Sequence, residues 1–319
     1  MDLAVLARVL DVAEMIDEGL DRSKWLQARA AGLGSSDASS VIGWNPYSSP
    51  MSVYADKLGM NGADEDSAQA RFGRMVEPWL LEEFEKATGH QTWANRALFR
   101  SRSRPWQMAT PDGFSLSNSG QLHLVEEKST IFDWGGEIPP DVWCQVQHQL
   151  LVVGLTSAFV IVLNRDTCEI SIFPVGLDLQ FADNLIRAEE EFWTNFLEGR
   201  PPNPDGSMAC RVALRKLYPE HQAGTWVNGG PELLAIDQSL QEAKMNLSEW
   251  EKAVREIEND LISRVGTAEG IRLPNGWSYS YRTQTRKAYT VAETTFRVLR
   301  RHKPGASKKT TKQVKGGAE

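Results

Sequence analysis

Between residues 68 and 88, "AQARFGRMVEPWLLEEFEKAT", apolar side chains recur at Met75, Val76, Trp79, Leu80 and Phe84, and Gly89 follows as a stop. Spacings of three and four predict a helix with one apolar face. Pro78 must sit in its first turn or kink it. The period then changes. "ALFRSRSRPWQMATPDGFSL", the polar turn "SNSG" and "QLHLVEEKS" read as extended segments closing in a hairpin. "PPDVWCQVQHQLLVVG" opens on prolines and ends on Gly154, which predicts a helix. "SAFVIVLN", the turn "RDT" and "CEISIFPV" predict a second hairpin, and "LDLQFADNLIRAEEEFWTNFLEG" an amphipathic helix. Helix, hairpin, helix, hairpin, helix is the order of a mixed α/β core.

Ahead of this core, "MDLAVLARVLDVAEMIDEGL" reads as an amphipathic helix. Ser23 is placed to cap a short helix bearing Trp25 and Arg29, Gly32 and Gly34 end it, and Ser35, Ser36 and Asp37 are placed to cap the next. Beyond it, "RPPNPDG" at 200–206 marks a boundary. Ile236, Leu240, Ala243, Leu247, Trp250, Val254, Ile257 and Leu261 then alternate spacings of four and three, a heptad seam on a long helix. Such a seam packs against its own domain or pairs subunits. Residues 271–301 read as two or three strands. The chain thus divides into a core over 1–200, a linker over 201–230, a long helix with a β extension over 231–301, and a basic tail over 302–319 expected to be disordered.

Composition narrows the class. The 319 residues are 41% hydrophobic and 24% charged, as in ordinary globular proteins. No apolar run approaches the roughly 20 residues of a membrane span, and the N-terminal stretch lacks a cleavage pattern. Cys144, Cys168 and Cys210 are scattered and odd in number, which argues against a disulfide framework, a zinc site or an iron–sulfur cluster and fits a reducing cytoplasm. The net charge of −7 conceals an asymmetry, because residues 271–319 carry +10 and the rest −17. An acidic body suits metal-binding carboxylates, and a basic end suits phosphates.

The candidate chemistry lies in "TPDGF" and "VEEKST". Side chains alternate along a strand, so Glu126 and Lys128 share a face with Leu122 and Leu124, and Glu127 turns away with only its backbone carbonyl at the site. If residues 117–121 form a five-residue loop, Asp112 falls opposite Glu126, whereas a four-residue loop pairs it with Val125 on the wrong face. Two carboxylates held together repel, and a divalent cation relieves them. All-oxygen ligation suits Mg²⁺, with Mn²⁺ as a substitute. One or two ions fit this reading. Lys128 then orients water or offsets developing charge.

Glu77, beside Arg74 on a helix, is a further candidate ligand, and Gln145 and Gln149, one turn apart, could reach the same place. Arg29 beside Ser35 and Ser36 makes an anion site. Arg96, Arg100, Arg102 and Arg104 alternate along an expected strand, as a phosphate-contacting edge or a charged edge that resists aggregation.

Asp followed by Glu-x-Lys on a hairpin resembles the core of the PD-(D/E)xK nuclease superfamily. Five motifs in order, "WLQARAAGLGSSDASSVIG", "FGRMVEPWLLEEFEKATG", "TPDGF", "VEEKS" and "WCQVQHQLLVVG", resemble the YqaJ-like viral recombinases, related to phage lambda exonuclease, over about residues 20–200. The resemblance implies a restriction-endonuclease-like mixed sheet flanked by helices. It makes Asp112, Glu126 and Lys128 catalytic, lines the site with Glu77 and Gln145, and gives the 5′-terminal phosphate to Arg29, Ser35 and Ser36. It also implies 5′–3′ removal of nucleotides from linear duplex DNA, a single-strand annealing partner, a homo-oligomer such as a trimeric ring, and a phage or prophage source in a bacterial cytoplasm. Ser129 stands where relatives often carry cysteine. A structure- or sequence-directed endonuclease of the superfamily and a non-catalytic scaffold that binds DNA ends are the alternatives.

Overall fold

The structure, a computed structural model, describes residues 9, 11–17, 22–60, 67–287, 293 and 297–301. The chain forms two units, Met1–Pro219 and Glu220–Glu319.

In the first unit, strand β1 (Ala13–Asp17) leads to helix α1 (Arg22–Ala30), the short strand β2 (Leu33–Gly34), and helices α2 (Ser35–Val41), α3 (Pro50–Lys57) and α4 (Ala68–Thr88). Strands β3 (Gln91–Ala94), β4 (Leu98–Ser101), β5 (Gln107–Ala109), β6 (Gly113–Leu116) and β7 (Leu122–Thr130) follow. Helix α5 (Pro140–Val153), strands β8 (Ser157–Asn164) and β9 (Ile170–Gly176), and helices α6 (Leu179–Leu197) and α7 (Met208–Leu217) complete the unit. The main sheet runs β3-β6-β7-β8-β9, and a smaller one runs β1-β4-β5-β2. Only the β7–β8 pair of the main sheet is parallel, and α5 is its crossover. The expected mixed α/β class and helix-flanked sheet are therefore what the chain adopts.

Strand β7 is buried on both faces. Leu122 and Leu124 join Val146, Leu150 and Phe114 on the α5 side. Val125 joins Leu80, Leu81 and Phe84 of α4 on the other side, with Ile161 of β8. A strand covered on two sides reads as an apolar run, not an alternation, which accounts for "LHLV". Two glycines permit close approach. Gly154 caps α5 at φ 70°, and a Cβ there would lie 2.3 Å from Val12 Cγ2. A Cβ on Gly113, next to Asp112, would lie 2.9 Å from the carbonyl oxygen of Trp93 and push β3 off β6.

Several expectations change. Residues 13–17 of the expected N-terminal helix form strand β1, paired antiparallel with β4, and the rest of that stretch lies almost wholly outside the described residues. An apolar-polar alternation this short suits either element, and the partner edge of β4 decides. Ser23 lies within α1, and Gly34, not a serine, is the N-cap of α2. Asp37 completes that start by reaching back to accept from the Gly34 N–H at 2.9 Å. Pro78 is interior to α4, so the Arg74 carbonyl loses its helical donor. The long extended segment before the hairpin is split between sheets, with β4 and β5 in the small one and β6 in the large one. Part of the expected linker is helix α7, whose Cys210 and Ala213 pack on Met51 and Ala55 of α3.

The second unit contains helix α8 (Glu232–Val265) and a hairpin of β10 (Gly270–Arg272) and β11 (Ser278–Ser280). Residues 297–301, expected to end a strand, have no regular structure, and the tail 302–319 lies outside the described residues. The heptad seam is exposed rather than packed among the described residues.

A buried polar cluster ties the first unit together. His148 Nδ1 lies 2.6 Å from Glu189 Oε1, and Nε2 lies 2.9 Å from the Met108 carbonyl oxygen. Gln107 donates to the other Glu189 oxygen at 2.7 Å. Two acceptors on one ring require protons on both nitrogens. Burial works to lower the His148 pKa, but the Glu189 charge and both hydrogen bonds outweigh it and raise it above the ordinary 6.5. A raised histidine contributes stability below its unfolded value and loses it as pH rises through the folded value. Glu189→Gln should therefore cost about 3–5 kcal/mol near pH 6. That cost should shrink as pH rises through the raised pKa of His148 and the histidine loses its proton. Urea unfolding across a pH series upward from about pH 6 measures it, and a pH-independent cost would contradict the ion pair.

Candidate active site

The hairpin β6–β7 sets the geometry. Leu116 pairs with Leu122, Phe114 with Leu124 and Gly113 with Val125. The loop is therefore the five residues 117–121, closed by the Ser117 N–H on the Gln121 carbonyl at 2.9 Å. Continued by one residue, the register brings Asp112 to Glu126. Asp112 Oδ2 accepts from the Glu127 N–H at 2.7 Å, so the aspartate is pinned to the backbone of β7.

Helix α5 supplies the other wall. Gln145 Nε2 donates to Glu126 Oε1 at 2.6 Å, and Gln149 Nε2 donates to Oε2 at 2.7 Å. Lys128 Nζ donates to Glu126 Oε1 at 2.5 Å and to Gln145 Oε1 at 3.1 Å. Both oxygens of a carboxylate that is only 2% exposed are thus satisfied. Burial works to lower the Lys128 pKa, but Glu126 and Asp112 outweigh it and raise it, so the ammonium stays charged. Burial and the neighbouring Glu126 hold the Asp112 pKa well above its usual range, against the pull of Lys128 and the Glu127 N–H. Glu77, on α4, is raised by burial despite Arg74 and Arg96, and it feels Glu126.

Glu127 corrects the sequence reading. Its side chain does turn away from Lys128, but it does not reach solvent. Its residue is 8% exposed, and neither Oε1 nor Oε2 has a hydrogen-bond partner. Burial, Asp112, Glu77 and Glu126 push its pKa up to about 9. The signal was present in the sequence, since Val125 on the same face is apolar and α4 has an apolar stripe to cover it.

A second group approaches from the N-terminal side. Strand β2 runs parallel to β5, with Leu33 against Gln107 and Gly34 against Met108. The start of α2 therefore emerges beside the segment leading to Asp112. A cavity of about 240 Å³ has Arg29, Ser35 and Ser36 on one side and Thr110, Asp112 and Gln145 on the other. Arg29 donates to Ser36 Oγ. Asp37, below them, pairs with Lys57 at 2.7 Å and with Arg29 at 3.6 Å. Burial would raise the Asp37 pKa, but Lys57, Arg29 and the Gly34 N–H outweigh it and hold it below the ordinary value. This buried Asp37–Lys57 pair, which orients Arg29, was not legible in the sequence because Lys57 lies 20 residues further along the chain. The four arginines before the site are not brought together on one strand. β4 contains only Arg100, which pairs with Glu14 at 2.8 Å, and Arg104 donates to Gln107.

The donor set fits a hard divalent ion. Gln149 Oε1, whose amide nitrogen reaches Glu126, is a buried acceptor without a donor, and the carboxylates of Asp112, Glu126 and Glu77 crowd one strand end. Among the described residues, no three acidic, histidine or cysteine side chains form a preformed cage. Mg²⁺ is typically held by one or two carboxylates with water completing its shell, which Asp112, Glu126 and the Glu127 carbonyl could provide.

A family model described as the YqaJ-like viral recombinase domain matches residues 24–156. The uncharacterized protein YqaJ of Bacillus subtilis (strain 168) is 30% identical over 266 residues, 78% of this chain and 80% of that protein. An alkaline exonuclease (LHK-Exo) from Laribacter hongkongensis superimposes with a TM-score of 0.46 at 15% identity, covering 61% of this chain and 97% of its own. A phage related exonuclease from Haemophilus somnus 129PT gives 0.40 at 11% identity, covering 53% and 96%.

The Glu127 carboxyl generates a prediction. A raised carboxyl keeps its proton in the folded state and loses it on unfolding, so it drains stability as pH rises from 4.5 to about 9. In chelator, Glu127→Gln should remove that loss, so the variant gains on the parent as pH rises through this window. Urea midpoints across the range test it, and parallel curves for the two proteins would contradict it.

Proposed function

The chain belongs to the YqaJ-like viral recombinase family, and from that premise we propose that it is a Mg²⁺-dependent 5′–3′ exonuclease acting on linear duplex DNA. The observation that carries this reading is the single register that joins Asp112, Glu126 and Lys128 at one strand end, with Gln145 above them. Asp112, Glu126 and the Glu127 carbonyl would hold the ion, with Glu77 nearby. When bound, a divalent ion supplies Lewis acidity toward a phosphoryl oxygen and lowers the pKa of water.

The chain's own groups do the rest. Lys128, kept charged by Glu126 and Asp112, points an N–H at the attacking water and offsets charge developing on the phosphate. Gln145 shares Lys128 and Glu126 between its two amide atoms, fixing both at once. Arg29, Ser35 and Ser36 receive the 5′-terminal phosphate across the cavity from Asp112. That spacing sets the scissile bond a short distance from the end, which favours shortening from a terminus over cutting within a strand. Single strands left behind would serve an annealing protein in recombination. No helix among the described residues is long and apolar enough to cross a membrane, and we place the activity in the cytoplasm of a bacterial host.

The deciding experiment digests linear duplex DNA with 5′-phosphate or 5′-hydroxyl ends beside a closed circle, in Mg²⁺. Loss from phosphorylated 5′ ends with the circle intact is expected. A cut circle would replace the reading with an endonuclease, and end binding without cleavage in Mg²⁺ or Mn²⁺ would replace it with a scaffold. Lys128→Ala should lower turnover by roughly 100-fold or more while leaving DNA-end binding in place, measured by single-turnover cleavage and gel shift. Arg29→Ala should lose roughly tenfold or more of the preference for 5′-phosphate over 5′-hydroxyl. An unchanged ratio of initial rates would remove Arg29 from that role.

A further inference from the structure

The second unit carries a hairpin that the chemistry of the first leaves unused. Strands β10 and β11 pair Ile271 with Tyr279 and Arg272 with Ser278. The ladder runs one step further at each end. The Leu273 N–H donates to the Trp277 carbonyl at 2.7 Å, and the Tyr281 N–H donates to the Glu269 carbonyl at 2.9 Å. Gly276, at φ 91°, sits in the turn between the strands. Side chains alternate along a strand, so Trp277, Tyr279 and Tyr281 share one face, and Ser278 and Ser280 take the other. The three rings stand in water, 74%, 51% and 57% exposed.

The charges around the rings indicate what would cover them. Residues 271–287 contain Arg272, Arg282, Arg286 and Lys287 and no acid. Every residue of 277–287 is exposed. Arg282 reaches Glu269 at 2.8 Å, but both side chains are exposed, so the pair is worth little and exchanges readily. A second copy of this face would set four cations against four, and is repelled. The occupant must therefore be anionic. It must also offer flat surfaces to rings about 7 Å apart, the rise of two residues along a strand. An acidic peptide meets the first requirement and leaves the rings without stacking partners. A nucleic acid meets both, with phosphates for the cations and base faces for the rings. In a duplex the base faces are stacked on one another, whereas in a single strand they are open to side chains.

We propose that the β10–β11 hairpin is a single-stranded DNA platform, on which unpaired bases stack against Trp277, Tyr279 and Tyr281 while Arg272, Arg282, Arg286 and Lys287 hold the phosphates. Binding there needs neither metal nor cleavage. The role of the platform rests on the nuclease reading. Shortening one strand of a duplex leaves its complement unpaired, and a platform on the same chain keeps that complement at high local concentration.

Fluorescence anisotropy of the full-length chain with labelled oligothymidylate in EDTA tests it, because chelator prevents metal-dependent cleavage and leaves binding readable. The parent should bind oligothymidylate roughly tenfold or more tightly than an abasic phosphodiester strand of the same length. Tyr279→Ala should lose about tenfold on oligothymidylate and nothing on the abasic strand, and Tyr279→Phe, which keeps the ring, should bind as the parent does. Arg286→Gln should reduce the slope of log affinity against log salt by about 0.7. Equal binding of the two strands by the parent would leave an anion site only and overturn the proposal. Unchanged oligothymidylate affinity in Trp277→Ala/Tyr279→Ala would overturn it as well. Stacking-dependent binding by a chain that digests no DNA in Mg²⁺ or Mn²⁺ would uphold the platform and remove the nuclease reading instead.

Discussion

The site depends on one backbone register. A loop of five residues sets Leu116 against Leu122, and every charged group at the end of β7 takes its place from that. Slipping by one residue would turn Asp112 to the face of Val125 and bury it against Leu81 and Phe84 of α4. The core therefore enforces the site. Leu122 and Leu124 face α5 and Val125 faces α4, and a one-residue slip would reverse all three.

Holding this register has an electrostatic cost. Asp112, Glu126, Glu127 and Glu77 gather around one strand end, and burial raises the pKa of three of them. The chain offsets this unevenly. Glu126 receives Lys128 and two glutamine amides, Asp112 receives a backbone N–H, and Glu127 receives nothing. The unmet carboxylate acceptors are therefore on the Glu127 side chain, which turns away from Lys128 towards α4, and not on Glu126.

The supports lie farther out. His148 and Glu189 clamp α5 and α6 to the Met108 carbonyl of β5, and the parallel β2–β5 contact sets the start of α2 beside the same strand. Asp37 and Lys57 then hold Arg29 over the cavity. Strand β5, three residues long, thus lies between the Arg29–Ser36 pair and the carboxylates and sets their separation.

Local pattern alone determined a good deal. The helical spacing of α4 and α5 and the strands β8 and β9 follow from periods of 3.6 and 2, whereas the pattern left a four- or a five-residue loop open before β7 and the folded register decided for five. The sharing of a face by Glu126 and Lys128 follows from the same period of 2. Other features needed the folded chain. Residues 13–17 became a strand because β4 offered an open edge. Glu127 is buried because α4 arrives over it from some fifty residues earlier, and Lys57 reaches Asp37 only once α3 packs. Alternation states which face a side chain is on, and tertiary packing alone decides whether that face meets water, another helix or a second charge.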